Sequence, residues 1–234
     1  MRRRPIVAID GPAGAGKTTV TVQVARALGY LLLGTGALYR AVALAARRAD
    51  AAWDDAGAVE QVANEIAARA GLRIARSAGG TQRVVLDGED VTELLQSEQI
   101  GGGASQVSAV PAVRAALLDV QRDAGKEGGI VAEGRDVGTV VFPDAEAKFF
   151  LTASVAVRAQ RRYEEMKARG IEADLDAIRR DVEQRDLRDS TRTIAPLTRA
   201  PDALVVDSSE LTPQAVVDRV VARVRQVEAE LGIR

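Results

Sequence analysis

The stretch Gly11-Pro12-Ala13-Gly14-Ala15-Gly16-Lys17-Thr18 constrains this chain more than any other. It follows the apolar run Ile6-Val7-Ala8-Ile9 and obeys the spacing Gly-x-x-x-x-Gly-Lys-Thr of a phosphate-binding loop. The spacing has a physical reason. Where a buried strand ends, glycines let the backbone turn so that successive N–H groups face one anion. A helix expected from Thr18 to Leu28 adds the positive end of its dipole. Lys17 can then reach the β- and γ-phosphates of a nucleoside triphosphate, and the Thr18 hydroxyl can hold Mg²⁺.

Composition narrows the chemistry around that loop. The chain has 234 residues, 47% of them hydrophobic, enough for one substantial α/β core with an insertion. It has no cysteine, which excludes disulfides, thiolate metal sites and Cys nucleophiles. It has no histidine, which removes the commonest general base and metal ligand. Lys, Arg, Asp, Glu and hydroxyls remain. Phosphoryl transfer suits that set, because it depends mainly on positioning and charge. The net charge of −1 and the few aromatics argue against a nucleic-acid partner. No stretch approaches the ~20 apolar residues of a membrane span. The basic start Arg2-Arg3-Arg4 precedes an apolar run too short for a signal peptide. A cytoplasmic chain is expected.

Short apolar runs alternate with helical stretches, the pattern of a parallel sheet covered on both faces. The runs predict core strands at Pro5–Asp10, Tyr30–Leu33, Gly129–Ala132, Ala147–Leu151 and Ala203–Val206. Val59, Val62, Ile66 and Ala70 mark a helix ended by Gly71. The last helix starts at Thr212 and Pro213, with a core stripe of Val217, Val220, Val221, Val224 and Leu231. One segment breaks the alternation. Leu72–Arg76 and Arg83–Leu86 read as an antiparallel insert, with turns around Ala78–Thr81 and at Asp87-Gly88. The run Gly101-Gly102-Gly103 predicts either a flexible loop or a hinge.

Two charged segments point to the ligand. Glu133-Gly134-Arg135-Asp136 follows the third core strand, where a magnesium-holding acid sits in such folds; Glu133 is the candidate. Arg135 can reach a phosphate. Farther on, Arg185, Arg188 and Arg192 recur at helical spacing and predict a row of guanidinium forks that clamps an oxyanion. Lys167, Arg179 and Arg180 read as solvated helix faces.

Together these segments resemble the bacterial cytidylate kinases. The resemblance is carried by Ile9–Thr19, Thr35-Gly36-Ala37-Leu38-Tyr39-Arg40, Gly88–Thr92, Ala104–Val107 with Val113-Arg114, the long Glu133–Ala145 stretch, Lys148–Leu151, Arg185–Arg192 and Ala195-Pro196-Leu197. It implies transfer of a phosphoryl group from ATP to CMP or dCMP with Mg²⁺, by a monomer. The implied fold is a three-layer α/β/α P-loop core with five parallel strands, an acceptor-binding region holding a small antiparallel insert, and a helical lid. The core would span 1–38, 106–154 and 171–234. The acceptor region would span 39–105, its insert about 72–95, and the lid 155–170.

By the same resemblance, Gly11, Pro12, Ala13, Gly14, Ala15, Gly16, Lys17, Thr18 and Thr19 hold ATP, with Ser208 and Ser209 near the adenine. Ser105, Arg114 and Asp136 contact cytosine. Arg185 and Asp189 contact ribose. Thr35, Tyr39, Arg40, Arg135 and Arg192 belong to the acceptor site, most of them around its phosphate. Lys17, Arg135, Arg158, Arg162 and Arg192 act on the transferred group, with Arg158 and Arg162 on the lid. Thr18 and Glu133 hold Mg²⁺, directly or through water. The chain departs from the family pattern at Gly34, where an acid is common, and at Glu133, where many relatives carry Asp. Two other readings stay open: a P-loop kinase for another small acceptor, and a non-catalytic ATP-binding regulator.

Overall fold

The computed structural model describes residues 2–76 and 82–233, so the expected turn around Ala78–Thr81 lies outside the described residues. The chain begins β1 (Ile6–Asp10), α1 (Lys17–Leu28), β2 (Leu31–Gly34), α2 (Thr35–Arg48) and α3 (Ala56–Ala68). The insert follows as β3 (Leu72–Arg76), β4 (Gln82–Leu86) and β5 (Glu89–Asp90). Then come α4 (Glu98–Val107), α5 (Pro111–Gly125), β6 (Ile130–Gly134), a π-type turn at Val137–Val141, and β7 (Ala147–Thr152). The chain closes with α6 (Val155–Ala168), α7 (Leu175–Thr191), β8 (Leu204–Asp207) and α8 (Pro213–Glu230).

Five parallel strands form the central sheet in the order β2-β6-β1-β7-β8, and β3-β4-β5 form a separate antiparallel sheet. Alternation along β1 shows how the layers assemble. Val7 and Ile9 pack with Val20, Val24 and Leu28 of α1 and with Val216, Val220 and Val224 of α8. Ile6 and Ala8 face the other way, against Leu33, Ala132, Val137 and Phe142. A third core joins α2, α3, α4 and α5 to the insert, through Leu44, Val59, Leu86, Ile100 and Leu117 among others. Local chemistry sets the helix ends. Thr212 Oγ1 accepts from the Ala215 N–H at 3.2 Å with Pro213 at the first turn, and Asp55 caps α3 in the same way.

Several expectations are corrected. Gly101-Gly102-Gly103 lie inside α4 rather than in a loop or hinge. Close packing explains the outer two: a Cβ on Gly101 would come 2.9 Å from the Arg40 guanidinium, and one on Gly103 would come 2.5 Å from the Trp53 ring, whereas Gly102 faces open space. Ala70 lies past the end of α3, at φ 48. Leu231 lies past the end of α8 and is exposed, while Val216 and Val227 join its buried stripe. Four core strands run one or two residues past their expected ends, so Gly34, Glu133, Thr152 and Asp207 are still paired backbone.

Candidate active site

The phosphate loop is shaped by two glycines. Gly11 has φ 152, and a Cβ there would stand 1.9 Å from the Leu151 carbonyl oxygen. Gly16, at φ 85, precedes α1 without giving it a side-chain cap, and the first turn of α1 carries no acid. The N–H groups at that helix start are therefore left for an anion. Lys17 is buried and donates to the carbonyls of Gly11 and Pro12, both at 2.7 Å. Burial, then repulsion from Arg135, holds its pKa well below the usual lysine value.

Beside the loop, the Thr18 hydroxyl donates to Glu133 Oε1 at 2.8 Å. Glu133 Oε2 is buried and has no hydrogen-bond partner among the described residues. The Thr35 hydroxyl donates to the Glu133 carbonyl at 2.8 Å. Among the described residues no cluster of three acids could cage a metal. One hydroxyl and one free carboxylate oxygen suit Mg²⁺, which keeps several waters and takes its remaining ligands from phosphates.

A cavity of about 1000 Å³ opens in front of the loop. It is lined by Lys17, Arg40, Arg114, Arg135, Arg161, Arg162, Arg185 and Arg192 against the carboxylates of Glu98, Glu133, Asp136, Glu165 and Asp189. The cations outnumber the acids, so the cavity favours anions. Burial pushes the Arg185 guanidinium down to about 10, helped by repulsion from Arg135. Burial lowers Arg192 too, with Arg114 as the next cause. Asp189 moves the other way. Burial would raise it, but Arg135, whose Nε donates to Asp189 Oδ2 at 2.7 Å, holds it low.

At the far end of the cavity, Arg114 donates to Asp136 Oδ2, and Arg192 Nη2 lies 3.6 Å from Asp136 Oδ1. Arg114 also lies over the Tyr39 ring, 5.4 Å from its centroid. The buried Ser105 Oγ, Arg185 Nε and Arg192 Nη2 have no hydrogen-bond partner among the described residues. Buried polar atoms of this kind are rare in folded proteins, and all three residues line the same cavity.

The sequence profile of the family described as cytidylate kinase matches residues 7–226. The chain belongs to the cytidylate kinase family. It is 46% identical over 230 residues to the cytidylate kinase of Syntrophotalea carbinolica, covering 98% of this chain and 94% of that one. It is 47% identical over 218 residues to a Pseudomonas aeruginosa cytidylate kinase, covering 93% of each. A solved structure of an uncharacterized protein from Eubacterium ventriosum shares the fold at a TM-score of 0.50 and 12% identity, covering 95% of this chain and 99% of that one.

Family resemblance and geometry part company at several residues. Arg158 is outside the cavity lining. It pairs with Asp186 at 2.5 Å and donates to the carbonyls of Ala13 and Ala153, so it braces the phosphate loop from behind. Arg162 does line the cavity but is held by Glu98 at 2.6 Å. Ser209 turns away to Asp207, whereas Ser208 lines the cavity. Arg188 is exposed and absent from the lining. At 100° per residue, Arg188 stands 100° around α7 from the buried Asp189, and Arg192 lies just past the helix end.

Three cavity residues or supports escaped the sequence reading. Arg161 donates to the Ser208 carbonyl at 2.6 Å and lines the cavity. Gln82 lines the cavity from the insert. Asp10, at the end of β1, accepts from the N–H groups of Val137 and Gly138 at 2.8 and 2.7 Å, anchoring the turn beside Asp136. Burial raises its pKa to about 6, opposed by those two bonds.

Proposed function

We propose that this chain transfers the γ-phosphoryl group of ATP to the 5′-phosphate of CMP or dCMP, giving ADP and CDP or dCDP. The carrying observation is that Ser105, Arg114 and Asp136 share one cavity with Lys17. An oxygen of the CMP phosphate attacks the γ-phosphorus. The new O–P bond forms as the bond to the β-phosphate oxygen breaks, and ADP leaves. The nucleophile is already an anion, so no general base is needed, in keeping with a chain free of histidine and cysteine. Arginines around the acceptor supply charge where the loose transition state spreads it. Thr18 and Glu133 would hold Mg²⁺, which supplies charge neutralisation on the phosphates when bound.

The base end accounts for specificity. Cytosine presents its N4 amino group as a donor, which a carboxylate such as Asp136 accepts. Its N3 and O2 accept, and Arg114 donates. Uracil reverses the pattern at position 4 and at N3, leaving both protein groups against like partners. Buried mismatches of this type discriminate strongly.

The chain acts as a monomer in the cytoplasm, since one chain supplies both halves of the cavity. Residues 39–105 and 155–170 close over the core residues 1–38, 106–154 and 171–234. Among the described residues no helix is long and apolar enough to cross a membrane. The deciding experiment is an ADP-release assay with ATP, Mg²⁺ and a panel of acceptors. CMP and dCMP are expected to lead, and Asp136→Asn is expected to shrink the CMP-to-UMP ratio of kcat/KM. A flat panel, or no CMP-dependent turnover, would sink the assignment.

A further inference from the structure

β2 is an edge strand of the central sheet, so the N–H and C=O groups on its outer side have no strand to pair with. At Gly34, the last residue of β2, one side chain from the other sheet meets both groups. The Gly34 N–H donates to Gln82 Oε1 at 2.6 Å, and Gln82 Nε2 donates to the Gly34 carbonyl at 3.4 Å. A primary amide offers a donor and an acceptor side by side, as a peptide group does. Gln82 therefore completes one rung beyond the edge of the sheet.

That rung is next to the reacting centre. A Cβ on Gly34 would lie 3.3 Å from Gln82 Oε1 and 3.5 Å from Glu133 Oε1. Gly34 leads directly into Thr35, whose hydroxyl holds the Glu133 carbonyl at 2.8 Å. Gly34, Thr35, Gln82 and Glu133 all line the cavity. Glycine at 34 has the widest conformational freedom of any residue, so an external restraint has most to do there.

We propose that Gln82 is a positioning residue of the acceptor side, fixing the Gly34 peptide and through it Thr35. The proposal rests on the reading of the cavity as a CMP site. It makes the antiparallel insert a part of the reaction machinery as well as a lobe beside it: β4 reaches across to set the floor on which the acceptor phosphate stands.

The test uses the full-length enzyme. Gln82→Met keeps the side-chain length and removes both hydrogen bonds. Its KM for CMP should rise about tenfold, with kcat and KM for ATP within about twofold of the parent, the scale of losing such bonds at a positioned group. Exchange of the Gly34 amide should speed up while the thermal midpoint holds. Gln82→Glu keeps the acceptor for the Gly34 N–H and should leave that exchange slow. Arg83→Ala opens the Arg83–Asp90 pair one residue along the same strand and should leave KM for CMP alone. A parental KM for CMP in Gln82→Met would overturn the proposal. So would a rise of equal size in Arg83→Ala, which would mean general loosening of the insert. So would unchanged Gly34 exchange in Gln82→Met, or fast exchange in Gln82→Glu. Failure of the parent enzyme to use CMP would be seen separately, and would remove the functional reading together with this one.

Discussion

Ile6, Val7, Ala8 and Ile9 of β1 are at most 1% exposed, with helices covering the sheet from both sides. In the α6–α7 pair, the buried apolar cluster consists of Ala159, Ile178 and Val182. Ion pairs take up the difference. Arg158 ties α6 to Asp186 on α7, and Arg162 reaches out to Glu98 on α4. The contrast separates two ways of holding a site. Contiguous apolar burial is cooperative and fixes geometry. A partly exposed pair such as Arg162–Glu98 contributes little, typically about 0–1 kcal/mol, and can trade a carboxylate for a phosphate, whereas the buried Arg158 is costlier to unpair. The sheet that carries the phosphate loop is thus held by apolar packing on both faces, and the α6–α7 pair that bears Arg162 leans more on charge.

The contrast breaks first if its rigid half can be loosened without penalty. Phe149→Ala in β7 should lower global stability by about 3–5 kcal/mol, read from urea unfolding. A loss under about 1 kcal/mol would deny the sheet its role. Lys17→Ala should lower kcat/KM by about 3–4 kcal/mol, the range for removing a preorganised charge contact. Its urea midpoint should hold, and a parallel collapse of both would merge function with folding. Val182→Ala removes two buried methyl groups, or about 1–2 kcal/mol. Amide exchange should show that loss in α6 and α7 alone, and a uniform change across the sheet would make the two regions one unit. Glu98→Gln should give the smallest effect, under about 1 kcal/mol in stability. Released from that carboxylate, Arg162 should lower KM for CMP about twofold, and a raised KM would show the pair to be supportive.

The same contrast marks what could be read in advance. All five core strands were legible because burial on both faces favours apolar runs such as Ile6–Ile9 and Ile130–Ala132. The C-terminal ends of β2 and β6 were not, because Gly34 and Glu133 continue the ladder with residues that have no apolar signal. The phosphate loop was legible because its chemistry is local. Cavity residues on α6 and α7 were harder. Spacing identifies a shared helix face but not which neighbour that face meets, so it did not separate Arg158, turned to Asp186 and Ala13, from Arg161, which lines the cavity. Gly101–Gly103 misled because helix packing against Arg40 and Trp53 overrode propensity. Gln82 and Asp10 contact partners 48 and 127 or 128 residues away, and no local pattern announces contacts of that kind.

Lys17 closes its two hydrogen bonds onto the loop that it serves. The Gly11 and Pro12 carbonyls accept from the ammonium as phosphate oxygens could, and so tie its stem to the loop. The cradle is consequently moulded before any nucleotide arrives, and a triphosphate entering it would meet a finished shape and forgo much of the entropy loss of arranging one.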